Sequence, residues 1–264
     1  MLEETTSGPT DRDSIESSGS PAAGLDRAAA IFDSFDEVHR ELTLAALVRR
    51  SGLPRSTVHR TADRMIKLGW LDKPGDRYRV GRRIFELSGL VAVRRELREA
   101  ALPFMQDLYA AAQTAVQLGV LEGANILIVE KISGHRRMPM LSQVGSTIPA
   151  HCSGLGRVIL SHSDEETIDS VLRAGLSART SRTITSEAEW RAELAAVRTR
   201  GWAADREEGN LAINCIAAPV FDWTGTIAAA ISVTGPASLI NPDRLATAVQ
   251  LAAAAATRAY SQRR

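Results

Sequence analysis

A few residues in the second half of the chain can ligate a metal or act as nucleophiles. They are His151, Cys152 and Cys215, with Asp205 as a further candidate ligand. The CxxC and HxxxH spacings typical of zinc sites are absent, and a histidine next to a cysteine on a helix points in a different direction. A Cys–His nucleophile pair also lacks an orienting partner in the sequence, and GxSxG, P-loop and dinucleotide-binding motifs are absent. We therefore expect no enzyme activity, no metal and no cofactor.

A second group of residues has the chemistry of nucleic-acid recognition. In the segment that Pro54 opens, Val58, Ala62 and Met65 recur at helical spacing and predict a helix with one buried face. Its other faces carry arginine, which can form two hydrogen bonds to guanine, and hydroxyls, which reach phosphates or bases. The candidate DNA contacts are Thr43, Arg55, Ser56, Thr57, His59, Arg60, Arg64, Arg77 and Arg79.

The elements around this helix predict a winged helix-turn-helix. A shorter helix over Leu44–Arg50 has Thr43 at its N-cap, and Gly52 follows it at a position that favours the left-handed conformation. Helix, short turn and helix form a helix-turn-helix, although an ordinary helical hairpin with a basic face has the same spacing. The segments Trp70–Asp72 and Arg77–Val80 flank a Pro-Gly turn, which predicts a hairpin in the position of a wing.

The charge of the chain is concentrated in the same region. Residues 24–98 hold 16 Lys and Arg against 10 Asp and Glu, a net charge of +6, whereas residues 1–23 carry −4 and residues 99–264 carry −1. A local basic excess is typical of nucleic-acid-binding modules, and it is also common on solvated helix faces. Within this region Asp63 would repel phosphate, so we expect it to pair with Lys67. The tail 1–23 is rich in Ser, Gly, Pro and acids and is predicted to be disordered.

The remainder of the chain predicts an α+β domain. A long helical pattern over Ile84–Arg98 is interpreted as a connecting helix. Beyond it, we expect an antiparallel sheet covered by helices on one side, and a capping box formed by Ser186 and Glu189. The predicted strands are 115–121, 126–132, 213–221 and 226–234, and the predicted helices are 100–113, 152–161, 164–173, 186–200 and 242–262.

A ligand pocket can be inferred from two hydroxyl residues in the last strand. Ser232 and Thr234 are two residues apart and therefore share one face of a strand that is otherwise apolar. Buried hydroxyls need hydrogen-bond partners, which a ligand could supply, although backbone or water could equally do so. The helix that opens near His151–Ser153 would direct its first amides at an anion. A small carboxylate or another small polar ligand is the expected occupant.

Several motifs in both halves closely resemble those of IclR-type bacterial transcriptional regulators. They are Leu42–Ala45, Gly52–Arg60, Leu68–Leu71 and Tyr78–Gly81 in the first half, and Val144–Ser146, Pro149–Arg157, Asp205–Glu208, Cys215–Phe221 and Ile231–Pro236 in the second. The resemblance implies a winged helix joined by a linker helix to a GAF-like effector-binding domain, in dimers that can form tetramers. It places effector contacts at Gly154, Leu155, Asp205, Cys215, Ser232 and Thr234. Two positions depart from the family pattern, because Ala212 replaces the usual glycine and Arg157 the usual lysine.

Together these observations predict a ligand-responsive DNA-binding regulator, more often a repressor than an activator. The expected parts are a tail (1–23), a DNA-binding domain (24–82), a linker helix (83–98) and an effector-binding and oligomerisation domain (99–264). The expected partners are double-stranded operator DNA, a small effector, most simply a carboxylate, and further copies of the chain. With no apolar stretch near 18 residues and only two cysteines, we expect a cytoplasmic protein with free thiols and no membrane contact. The alternative is a small-molecule-binding enzyme or sensor whose helical hairpin docks a protein.

Overall fold

The computed structural model of this chain describes residues 24–36, 38–88, 95–133 and 142–263. The tail predicted over residues 1–23 lies outside them. The described residues form two compact units, one within residues 1–91 and one within residues 92–264. Within the described ranges, none of the helices is both long and apolar enough to cross a bilayer.

The N-terminal unit packs short helices against a small antiparallel sheet. Its sheet has the strand order β1-β3-β2. Its elements are α1 (Gly24–Phe32), β1 (Leu42–Thr43), α2 (Leu44–Ser51), α3 (Arg55–Lys67), β2 (Leu71–Asp72), β3 (Arg77–Val80) and α4 (Arg82–Ser88). A hydrophobic core formed by α1, α2, α3 and the sheet holds them together, and Ile31, Leu47 and Tyr78 are among its fully buried side chains.

Local sequence signals set the ends of α2 and α3. Thr43 Oγ1 accepts a hydrogen bond from the amide of Ala46, and Gly52 has a φ of 69°, so both predicted caps of α2 are confirmed. The next helix begins at Arg55, one residue later than predicted, because Pro54 occupies the extended N-cap position. The predicted inward stripe of α3 is confirmed, since Val58, Ala62 and Met65 are all buried.

The predicted wing is a hairpin of β2 and β3. Leu71 pairs with Val80 and Asp72 with Arg79 in antiparallel register, and Gly75 takes a φ of 66° in the connecting turn. The expected pairing of Asp63 with Lys67 is wrong. Asp63 Oδ2 instead lies 3.1 Å from Nδ1 of His59, one turn earlier on α3.

The C-terminal unit is built on a six-stranded antiparallel sheet with the strand order β6-β5-β4-β9-β8-β7. Its strands are β4 (Ala115–Glu122), β5 (Asn125–Ile132), β6 (Thr147–Pro149), β7 (Ala203–Arg206), β8 (Ile213–Phe221) and β9 (Ile227–Pro236). Its helices are α5 (Arg95–Ala112), α6 (Gly154–Leu160), α7 (Glu165–Ala174), α8 (Glu187–Arg200) and α9 (Pro242–Ser261). The expected two-domain α+β fold class is confirmed.

Helices cover both faces of this sheet, so the expectation of helices on one side is wrong. One face packs against α5 and α9 through residues such as Ile216, Val220 and Ile231. The other face packs against α6, α7 and α8 through small residues that include Ala217 and Ala230. In the central strands, most of the large apolar side chains face one side and small ones face the other. Strands without a polar face are typically buried on both sides. The small side chains on the second face leave room for a cavity.

Two further local predictions have different outcomes. Helix α4 ends at Ser88 and α5 begins at Arg95, and the residues between them lie outside the described ranges, so the continuous helix predicted over 84–98 stays a prediction. The predicted capping box is wrong. Ser186 occupies the N-cap position of α8, but its hydroxyl caps no backbone amide. The helix is held instead by Trp190, Leu194 and Val197, which pack into the core.

Candidate functional site

Helix α3 presents a row of polar side chains to solvent because its apolar stripe is turned into the core. Arg55, Ser56, His59, Arg60 and Arg64 are exposed. Thr57 is half-buried on the flank of the helix. The predicted contact residues of α3 therefore lie outside the core, where a groove of DNA could reach them.

The remaining predicted DNA contacts lie on β1 and the wing. Arg77 and Arg79 are exposed on β3, where Arg79 Nε lies 3.6 Å from Asp72 Oδ2. Thr43 is half-buried and its hydroxyl is already used to cap α2. Within the described ranges, four of the predicted arginines make no ion pair, and these are Arg55, Arg60, Arg64 and Arg77. Unpaired guanidinium groups can exchange water for phosphate or base acceptors without breaking an existing contact.

The second candidate site is a cavity of about 300 Å³ in the C-terminal unit. It lies between the start of α6 and the face of the sheet that α6 covers. Its walls come from five parts of the chain: β4, residues 142–155, the loop between α7 and α8, residues 205–215, and β9. The lining residues are Gln117, Ser142, Thr147, Ile148, Pro149, Cys152, Ser153, Leu155, Arg179, Asp205, Gly209, Asn210, Ile213, Cys215 and Thr234.

Strand register places the polar residues of the cavity in two rows across the sheet. Asp205 pairs with Cys215, and Cys215 pairs with Thr234, so these three are neighbours on β7, β8 and β9. In the adjacent row on the same face, Ser232 of β9 pairs with Gln117 of β4. Cross-strand partners share a face, so the sheet side of the cavity is polar although the surrounding strands are apolar.

The two hydroxyls of β9 are buried without a nitrogen or oxygen hydrogen-bond partner among the residues that the structure describes. Both Ser232 Oγ and Thr234 Oγ1 are in this state, and Ser232 is fully buried. The thiol of Cys215 lies beside both hydroxyls, and their hydrogen bonding lowers its pKa against the larger effect of burial; sulfur is a weak partner, so neither hydroxyl is well satisfied. A buried hydroxyl without a partner costs free energy, so the protein retains two groups that a polar ligand could satisfy.

Asp205 is the buried carboxyl group of the cavity. Its Oδ1 accepts hydrogen bonds from the amides of Glu208 (2.7 Å) and Gly209 (3.3 Å). Burial raises the pKa of Asp205 to about 6, although these amides and the positive charge of Arg157 oppose the shift. The group therefore changes charge near neutral pH.

The cysteines of the cavity are unsuited to nucleophilic chemistry. Burial raises the pKa of Cys152 and that of Cys215 to about 11, with the charge of Asp205 adding to the effect. Both thiols are therefore neutral at physiological pH. Because the reactive form of cysteine is the thiolate, neither is prepared to act as a nucleophile. His151 Nε2 lies 3.0 Å from the carbonyl of Ser177. No group of three or more His, Cys, Asp or Glu in the described part of the chain is arranged to hold a metal ion.

Comparison with known proteins identifies both units. The model of the helix-turn-helix domain of IclR proteins matches residues 24–75, and that of the C-terminal part of bacterial IclR transcriptional regulators matches residues 90–261. The chain belongs to the IclR family. Members of this family are DNA-binding transcriptional regulators rather than enzymes.

Relatives match this IclR-family protein over most of its length. The transcriptional repressor IclR of Escherichia coli is 30% identical over 234 residues, which cover 85% of each chain. The glycerol operon regulatory protein of Streptomyces griseus is 32% identical and covers 89% of this chain and 94% of its own. A crystal structure of an IclR homologue from Microbacterium hydrocarbonoxydans, complexed with 4-hydroxybenzoate, is 28% identical with a TM-score of 0.80, and the match covers 90% of this chain and 99% of that one.

The structure distributes the six predicted effector residues around the cavity of this IclR-family protein. Four of them line it, namely Leu155, Asp205, Cys215 and Thr234. The other two are buried and lie beside Cys215. A Cβ on Gly154 would come within 3.2 Å of Cys215 Sγ, and the Ser232 hydroxyl is next to the same thiol. The apolar side chain of Ile148 also lines the cavity.

The two departures from the family pattern have defined surroundings. Arg157 is buried in α6, where Nη2 donates to Glu208 Oε1 at 2.8 Å and to the carbonyl of Ala204. This ion pair holds the turn whose amides bind Asp205. Ala212 has a φ of 63°, in the left-handed region where glycine is favoured, so alanine carries a strain of about 1 kcal/mol there.

Sequence reasoning missed several cavity residues that come from other segments, most importantly Gln117, Ser142, Asn210 and Arg179. Gln117 is buried in β4, and its Nε2 donates to Ser142 Oγ at 2.6 Å. A buried glutamine within the apolar run of β4 is a signal that could have been used. Arg179 lies in the loop between α7 and α8, which has no motif, so its position depends on tertiary structure alone.

Proposed function

We propose that this protein is a transcriptional repressor that a small organic acid releases from its operator. The observation that carries the effector part is the pair of buried hydroxyls on Ser232 and Thr234, which have no nitrogen or oxygen partner among the described residues and lie at the cavity. Several named relatives support the repressor role, among them the acetate operon repressor of Salmonella typhimurium, 31% identical over 226 residues.

In this proposal the exposed side of α3 reads DNA. The N-terminal part of a recognition helix enters the major groove, so Arg55, Ser56 and Arg60 contact base edges, while Thr57, His59, Arg64 and Thr43 contact bases or phosphates near the groove. Arg77 and Arg79 of the wing contact phosphates. Because Arg79 is already near Asp72, Arg77 contributes more to binding.

The effector occupies the cavity of the C-terminal unit. Its polar atoms bind Ser232, Thr234 and Asp205, and its apolar part packs on Leu155 and Ile148. Gly154, Leu155 and Cys215 complete the wall. The cavity volume fits a short keto acid or a single-ring aromatic acid, and 4-hydroxybenzoate in the related crystal structure supports the latter.

The function requires more than one copy of the chain. Two recognition helices one DNA turn apart read a near-palindrome, so the active species is a homodimer or a homotetramer working in the cytoplasm. Residues 24–82 bind the operator, and residues 99–264 bind the effector and form the oligomer. Residues 83–98 are the linker helix that joins these two domains. The effector acts because it binds the DNA-competent and DNA-incompetent arrangements with different affinity.

The test is a binding titration with the full-length protein. A duplex enriched from a random-sequence library serves as the operator, and benzoate, 4-hydroxybenzoate and pyruvate serve as trial effectors. We expect duplex binding that weakens steeply with salt and weakens further with at least one acid. Duplex binding that does not depend on salt would favour the alternative, in which the helical hairpin docks a protein. Duplex binding that every acid leaves unchanged would contradict the acid effector.

A further inference from the structure

The wall of the effector cavity contains a single cation among the described residues, the guanidinium of Arg179. This side chain is exposed to solvent at the cavity and makes no ion pair or hydrogen bond within the described ranges. Its positive charge lowers the pKa of the buried Cys152 thiol, against the larger effect of burial, so its electrostatic field extends into the cavity. An unpaired arginine on the wall of a ligand cavity is suited to bind a carboxylate through two parallel hydrogen bonds.

The loop that carries Arg179 is fixed to the wall of the cavity. Both the Arg179 amide and the Thr180 amide donate to Thr183 Oγ1 at 3.0 Å. The Thr183 hydroxyl donates in turn to the carbonyl of Glu208 (2.7 Å), and the Thr180 hydroxyl donates to that of Glu207 (2.8 Å). The same turn supplies the amides that bind Asp205. Arg179 and Asp205 are therefore held to one another through a short set of hydrogen bonds.

The charges in the cavity determine which way a carboxylate ligand points. Asp205 is a buried acid on the sheet side, and two carboxylates close together in a poorly solvated site repel each other. A ligand carboxylate is consequently stabilised near Arg179 and destabilised near Asp205. The opposite end of the ligand meets the carboxyl group of Asp205 and the hydroxyls of Ser232 and Thr234, which suit a neutral group that can donate and accept hydrogen bonds.

We propose that Arg179 determines effector specificity by binding the single carboxylate of a monocarboxylic acid, whose neutral polar end lies toward Asp205. This inference rests on the proposed function of the cavity and adds the orientation and charge of its ligand. It predicts that hydroxy or keto monocarboxylates bind and that acids with a second carboxylate at the far end are rejected.

The test compares matched acids and amides by calorimetry on the full-length protein. The probes are 4-hydroxybenzoate and 4-hydroxybenzamide, pyruvate and pyruvamide, and the dicarboxylate terephthalate. The variants are Arg179→Gln and, as a control on the same loop, Arg182→Gln, whose guanidinium lies 3.3 Å from Glu207 and outside the cavity wall. We expect at least one acid to bind wild type about tenfold or more tightly than its amide, because a charge-assisted hydrogen bond is lost in the amide.

Arg179→Gln should reduce the affinity for the acid to that for the amide, and Arg182→Gln should change neither by more than about twofold. An acid whose binding is abolished by Ser232→Ala yet unchanged by Arg179→Gln would overturn this inference and leave the proposed function intact. Tighter binding of terephthalate than of 4-hydroxybenzoate would overturn the orientation. If no acid binds wild type, both the inference and the acid-effector function fail.

Discussion

In the N-terminal unit most of the proposed contact residues are exposed to solvent, whereas in the C-terminal unit most of them are buried. Arg55, Arg60 and Arg77 are exposed and unpaired among the described residues. Asp205, Cys215 and Ser232 are each less than 9% exposed, and burial shifts the pKa of the first two. In the proposed function, the protein would therefore bind a large polyanion with its surface and a small ligand with its interior.

The two environments differ in what they tolerate. An exposed side chain of the DNA-binding surface is solvated when no DNA is bound, so it has little effect on the free energy of unfolding. A buried polar group that awaits a ligand is neither solvated nor fully bonded, so it lowers the stability of the unliganded protein. Changes at the surface should therefore alter affinity alone, and changes in the cavity should alter stability and affinity together.

Gly156→Ala should have the largest effect. A Cβ at this position of α6 would lie 2.0 Å from the carbonyl oxygen of Ala150, and backbone cannot yield as a side chain does. The higher helix propensity of alanine is worth about 1 kcal/mol, whereas overpacking of this severity costs about 3 kcal/mol or more. Thermal unfolding should show the loss, and the exposed Ser56→Ala should not alter the melting temperature. An unchanged melting temperature for Gly156→Ala would contradict the packing described for α6.

The pH dependence of stability should reveal the buried carboxyl group. The folded pKa of Asp205 is raised from 3.8 to about 6, so the native state binds the proton more tightly than the unfolded state. This group therefore stabilises the fold least above pH 6, and stability should fall by about 3 kcal/mol as pH rises from 4 to 6 and beyond. Asp205→Asn should remove this part of the slope in denaturant titrations. Parallel curves for wild type and variant would show that the carboxyl group is not buried as described.

Arg60→Ala should impair the function of the N-terminal unit and leave that of the C-terminal unit unchanged. The loss of one exposed contact to a base should weaken operator binding by about 2 kcal/mol, with effector affinity and melting temperature retained. Fluorescence anisotropy with the selected duplex measures the first quantity and calorimetry the second. Arg173→Ala, at the exposed end of α7, provides a charge-matched control. Equal operator affinity for Arg60→Ala and wild type would contradict the proposal that α3 recognises the operator.

Ser232→Ala should have the smallest of these effects, and it should be an increase in stability. Removal of a buried hydroxyl whose neighbour is only the weakly bonding Cys215 thiol should stabilise the unliganded protein by about 1 kcal/mol, while effector affinity falls. Ser161→Ala is the matched control, because that hydroxyl is also buried but donates to the carbonyl of Val158 at 2.8 Å, so its loss should destabilise. If Ser232→Ala lowered stability instead, the hydroxyl would have a partner in the unliganded state and the cavity assignment would weaken.

Much of the fold was predictable because its signals are local. The caps of α2, the stripe of α3 and the hairpin turn each depend on residues within one turn of one another. The local predictions that were wrong are those in which several partners compete. Asp63 can reach either His59 or Lys67 on the same helix, and the hydroxyl of Ser186 can turn to solvent while α8 is held by its buried face.

The cavity was predictable only in part. Asp205, Cys215 and Thr234 appear in the sequence as separate residues, and the predicted strands alone do not say that they form one row. The row exists because β8 lies between β7 and β9, an arrangement set by long-range strand pairing. Gln117 and Arg179 are brought to the same cavity from regions with no motif.

The amino-acid sequence by itself determined the helix-turn-helix, the wing and the basic surface, because helix periodicity, caps and charge act over a few residues. Only the tertiary structure decided that helices cover both faces of the sheet, that two hydroxyls are buried without nitrogen or oxygen partners among the described residues, and that Arg179 shares a cavity with Asp205. Burial and electrostatic environment depend on neighbours that are distant in sequence, so they exist only once the chain has folded.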